Sequence, residues 1–89
     1  MKDNSEKISD FLDQFGLTTL IADGFDEAIL GVYVHDDNPK VIYDSHKCVD
    51  MLMEQGMTND EAQEYFDYNI SGAYMGEKTP LFIHPISGI

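Results

Sequence analysis

Apolar side chains near the start of the chain recur at helical spacing. Ile8, Phe11, Leu12 and Phe15 fall on one side, with Asp10 and Asp13 on the other. Asn4 or Ser5 is placed to cap this helix, and Gly16 stands where it should stop. Leu17 to Ala22 fits neither strand nor turn cleanly, and Asp23-Gly24-Phe25-Asp26 has turn chemistry. Ala28 to His35 (AILGVYVH) is then rich in β-branched and aromatic residues, Asp36-Asp37-Asn38-Pro39 is a strong turn, and Lys40 to Asp44 (KVIYD) follows. These segments predict an antiparallel hairpin with a four-residue connection.

Asp44 or Ser45 opens a short second helix whose Val49, Leu52 and Met53 should face inward, and Gly56 ends it. Thr58-Asn59-Asp60-Glu61 is the T-x-x-E capping box, in which Thr58 and Glu61 satisfy each other's free amides. Ala62, Tyr65, Phe66, Asn69, Ile70 and Ala73 form the i, i+3, i+4, i+7 face of a third helix, weakened and ended by Gly72 and Gly76. Leu81 to Ile83 is a short last strand able to pair with the hairpin. The predicted order is α-β-β-α-α-β: an α+β fold in which about three helices pack on a small three-stranded antiparallel or mixed sheet.

Length holds this to one domain over residues 1–89, and the 43% apolar share is enough for a folded core. Charge changes the picture most. Seventeen acidic residues stand against five lysines, with no arginine, for a net charge of −12. Such a chain repels phosphate backbones and anionic membranes, so direct binding to nucleic acid or to a membrane is not expected. Basic protein surfaces are the favoured partners, with cations or neutral ligands behind them. The single Cys48 leaves no internal disulfide and no cysteine-based zinc cage. MKDNSEKISDFLDQF has no apolar signal core, and the run Ala28 to Val34 is far short of the roughly 20 residues of a membrane helix, so the expectation is a cytoplasmic protein.

The third helix carries the most suggestive chemistry. Asp60, Glu61, Glu64 and Asp67 lie on its outer side, and Asp60, Glu64 and Asp67 form a row about 10 Å long. A row of this kind can dock on a basic protein surface, with Tyr65 or Tyr68 as an aromatic anchor at its edge. It can also imitate a phosphate backbone and occupy a nucleic-acid-binding groove. Acids near a helix N-terminus also suit the helix dipole, which needs no partner at all. Because these carboxylates would face the groove, the helix-turn-helix spacing of the second and third helices does not predict DNA binding.

Other constellations are weaker. His46 and Cys48 are two apart and point to different sides of a helix, which favours a core cysteine and a surface histidine over a nucleophile and its base. Asp23, Asp26, Asp36, Asp37 and Asn38 read as turn formers, since no calcium loop pattern is present. His35, His46 and His84 could form a metal site only through tertiary contact, and no metal or cofactor is predicted. Asn69 interrupts an apolar helix face, where its amide needs partners; it should anchor the following loop or touch a ligand. Thr79 and Glu77 could add polar groups nearby. No catalytic or nucleotide-binding motif occurs, so a non-enzymatic protein is expected. A small-ligand or metal-binding protein is a further alternative, and the apolar hairpin edge leaves room for a homodimer.

The elements GMT-x-x-EA-x-EYF-x-x-N and GAY-x-GE-x-TP-x-FI, within Gly56 to Ile83, resemble a group of short uncharacterised proteins encoded by bacteriophages and bacteria. Ala22-Asp23-Gly24-Phe25-Asp26, with Ile29 and Gly31, is similar to the upstream part of the same group. The resemblance covers the centre and C-terminal half, and leaves the first helix unmatched. It implies a phage or prophage setting, hence the host cytoplasm, and brings no activity or functional residue with it.

Overall fold

The structure, a computed structural model, describes residues 3–22, 24–34, 37–71, 76 and 78–86. Expectations placed on Asp23, His35, Asp36, Gly72, Ala73 and Glu77 lie outside the described residues. The elements are α1 (Asn4–Asp13), a 3-10 turn (Asp26–Ala28), β1 (Ile29–Tyr33), β2 (Lys40–Asp44), α2 (Ser45–Glu54), α3 (Asn59–Phe66), a π turn (Asp67–Ser71) and β3 (Leu81–Ile83). The fold is α+β in the order α-β-β-α-α-β.

Helix α1 is capped by Asp3, whose carboxylate accepts the Glu6 backbone N–H at 2.8 Å. Asn4, one of the two expected caps, is instead the first helical residue. Its amide donates to the Asp26 carbonyl at 2.8 Å and ties α1 to the 3-10 turn. The ends of α1 and α2 are alike. Gly16 and Gly56 take φ of 68° and 107°, and the residue after each glycine donates back to the carbonyl of Leu12 or Leu52. This doubled closure satisfies carbonyls that a helix end would leave open, and it needs a backbone that L side chains rarely adopt. Only Ile8 and Leu12 of the expected α1 stripe are buried; Phe11 and Phe15 lie exposed, their rings edge to face at 5.4 Å.

The sheet has the order β1-β2-β3. β1 and β2 are antiparallel, with an irregularity between Ile29 and Gly31. β1 stops at Tyr33 and leaves Val34 outside the strand, so it ends earlier than expected. β3 runs parallel to β2, pairing Ile42 with Leu81, Tyr43 with Phe82 and Asp44 with Ile83. The sheet is therefore mixed. A chain that leaves β2, passes through two helices and returns arrives in the same direction, which a tight turn cannot do.

The core lies between the sheet and the helices. Val41 and Tyr43 of β2 are wholly buried, beside Leu12, Cys48, Leu52, Ala62 and Phe66. Phe82 stacks on Tyr43 at 5.3 Å and meets Phe66 edge-on at 5.2 Å, which locks the short β3 to both the sheet and α3. The Tyr43 hydroxyl accepts the Ala22 backbone N–H at 2.8 Å and so holds the irregular segment before the 3-10 turn against the core. In α2 the inward residues are Cys48, Val49 and Leu52. Met53, expected inside, is 37% exposed because it follows Leu52 by one residue and so points about a quarter-turn away.

Candidate functional site

Helix α3 begins with the predicted capping box. The Thr58 hydroxyl accepts the Glu61 N–H at 3.2 Å, and the Glu61 carboxylate accepts the Thr58 N–H at 2.9 Å. Those hydrogen bonds from Thr58 hold the Glu61 carboxyl below the usual glutamate range. One of the four expected carboxylates thus has a structural task. Asp60, Glu64 and Asp67 are exposed, and their carboxylates make no hydrogen bond or ion pair with any described residue. None of the lysines among the described residues sits on α3.

Ala62 and Phe66 are the buried residues of α3, and Ile70 packs against the same core. Beyond Phe66 the helix widens into the π turn, whose i→i+5 bonding puts an extra residue into the turn. That extra residue changes the phase of the side chains. Ile70 stays toward the core, while Asn69, expected on the inner face, is exposed. Its amide therefore has no buried hydrogen bond to satisfy, and no buried side-chain polar atom among the described residues is unpaired.

Tyr65 is 44% and Tyr68 78% exposed on the outer side of the same turns. Tyr65 was expected on the core-facing side, and its exposure places it at the rim. Glu61, Glu64, Tyr65, Tyr68 and Asn69 surround a shallow hollow of about 320 Å³. The spacing explains part of the grouping: Glu61, Glu64 and Tyr65 stand at i, i+3 and i+4 of α3 and share one face, and Tyr68 follows in the π turn. Asp60 and Asp67 flank the hollow without lining it.

A second, larger concavity of about 440 Å³ opens on the core side of Tyr65 and Asn69. Its apolar walls come from four separate segments: Ile21 and Phe25, Leu52, Ile70, and Pro80 with Phe82. Gln55, Asn69 and Tyr65 are the polar residues of its lining. No charged side chain lines it among the described residues. The two concavities share Tyr65 and Asn69. The residues of this cleft escape sequence reading because no spacing rule connects the four segments.

The remaining candidates are structural. Thr79 donates its hydroxyl to the Gly76 carbonyl at 2.6 Å and its N–H to the same oxygen at 3.2 Å, so it fixes the turn before β3 and does not line the cleft. Cys48 is fully buried, and burial, with the Asp44 carboxylate adding to it, pushes its thiol up to about 12. A thiol held neutral and out of solvent is no nucleophile. Exposed His46 meets His84 edge to face at 5.0 Å, away from the cleft. The buried Ser45 hydroxyl donates to the Ile83 carbonyl at 2.7 Å and also contacts His84 Nδ1 at 2.9 Å. With its one proton on Ile83, Ser45 accepts from His84, and the pair fastens the end of β3 to the start of α2. Among the described residues, no group of three or more His, Cys, Asp or Glu side chains is placed to hold a metal, and no helix is long and apolar enough to cross a membrane.

Comparison with protein-family models, with curated proteins and with solved structures gives no match.

Proposed function

We propose that this chain is a non-enzymatic binding module that takes up a basic segment of a partner protein on the outer face of α3. The observation that carries the reading is the hollow on that face, where Glu61 and Glu64 stand beside Tyr65 and Tyr68. A lysine or arginine entering it meets carboxylates for its charge and aromatic faces for its flanks. A cation over a tyrosine face adds about 0.5–2 kcal/mol, depending on how far water is excluded. Asp60 and Asp67 extend the negative field to either side, and the net charge of −12 draws basic surfaces in from a distance.

The resemblance of the Gly56 to Ile83 block to short phage and bacterial proteins supports a host or phage protein as the partner, met in the host cytoplasm.

The test is capture of partners from host cells on the wild-type chain and on a triple variant, Asp60→Lys, Glu64→Lys and Asp67→Lys. These positions are exposed and carry no structural hydrogen bond to a described residue, so the variant should keep its circular dichroism and lose its partner. Saturating double-stranded DNA should leave the wild-type complex intact. A folded triple variant that retains the same partner at full strength would rule out this face.

A further inference from the structure

We infer that the apolar cleft behind Tyr65 and Asn69 is the second half of the same recognition site, so that the partner segment carries a large apolar side chain beside its lysine or arginine. The inference rests on the proposed protein-binding reading and specifies what that partner must contain.

Continuity is the first argument. Tyr65 and Asn69 line both concavities, so a segment with its basic side chain against Glu61 and Glu64 has the cleft immediately beside it. One helical turn rises about 5.4 Å, and an extended chain advances about 3.3 Å per residue. Concavities that share two lining residues are neighbours, so side chains a few positions apart on one segment can enter both. The lining chemistry is the second argument. Ile21, Phe25, Ile70 and Phe82 offer an apolar floor, and no charged side chain intrudes among the described residues, although a quarter of the chain is charged. An aliphatic or aromatic side chain set against those walls leaves water.

The rim indicates why the occupant is a peptide. Asn69 stands at the shared edge and Gln55 also lines the cleft, each with a carboxamide that both donates and accepts. That pairing complements the N–H and C=O of a passing backbone, which offers one of each per residue. The π turn is the local device behind this edge.

Selection of random twelve-residue peptides displayed on phage against the purified full chain tests the inference. Enriched peptides should carry an apolar residue within three positions of a lysine or arginine. Replacing that apolar residue with serine should weaken binding about tenfold. Gln55→Trp, which crowds the cleft from an exposed position, should cause a similar loss for the parent peptide and little further loss for the serine peptide. Should Gln55→Trp fail to fold, amide and methyl shifts of the wild-type chain on adding the selected peptide answer the same question, with Ile21, Ile70 and Phe82 expected to move.

Enrichment for basic residues alone, with no effect of Gln55→Trp and no shifts at the cleft, overturns the inference and leaves the proposed function standing. Enrichment of neutral apolar peptides indifferent to Glu64→Lys overturns both. So does the absence of any enrichment.

Discussion

Single residues in this chain mostly do one job, and the job is visible in what each side chain touches. Glu61 closes the capping box with Thr58 and also borders the hollow, so its carboxylate is fixed in place before a partner arrives. Glu64 and Tyr68 have no such structural task, which makes them the cleaner probes of binding. Cys48 is the opposite case: fully buried, with a thiol raised from 9.0 to about 12. A raised pKa means that the folded state holds its proton longer than the unfolded chain does. The stabilisation is complete below the unfolded thiol's pKa near 9 and is lost progressively as pH climbs toward 12. Thermal melts are therefore expected to fall across that alkaline range, and Cys48→Ala should flatten the decline once its own lower baseline is subtracted. An unchanged alkaline slope in Cys48→Ala would show that the thiol does not titrate with unfolding.

At the scale of elements, the ends of helices were the most legible part. Gly16, Gly56 and the Thr58 capping box are local chemistry, and each sits where the sequence placed it. Pairing and phase were harder. A three-residue strand such as Leu81–Ile83 has too little alternation to announce its direction, and its parallel run is set by the helices that precede it. The exposure of Phe11, Phe15 and Met53 shows that a helical stripe can be wider than the surface available to cover it. Asn69 was misplaced because a regular 3.6-residue period was carried through a π turn. Glycine substitutions separate backbone need from packing. Both Gly56 and Gly31 have open space where a Cβ would go, but only Gly56 has positive φ. Gly56→Ala should cost about 1–2 kcal/mol of stability in urea melts, whereas Gly31→Ala should be neutral or gain up to about 1 kcal/mol. Equal effects at the two positions would contradict the backbone explanation.

The whole molecule brings together what no single element holds. The cleft takes its walls from the segment before the 3-10 turn, the end of α2, the π turn and β3, brought together by the packing of Phe82 between Tyr43 and Phe66 and by the Tyr43 hydroxyl on Ala22. Sequence spacing located the acidic face because that face lies on one helix. It could not locate the cleft, because contacts between distant segments leave no periodic trace. The chain carries a net charge of −12, and no lysine of the described residues lines either hollow. The measurement that tests the central claim most directly is nuclear magnetic resonance mapping of the isotopically labelled chain as the partner captured from host cells is added. The largest shifts are predicted at Glu61, Glu64, Tyr65, Tyr68 and Asn69. A complex that moves the β1 edge or the exposed Phe11–Phe15 pair and leaves α3 unchanged would contradict the account.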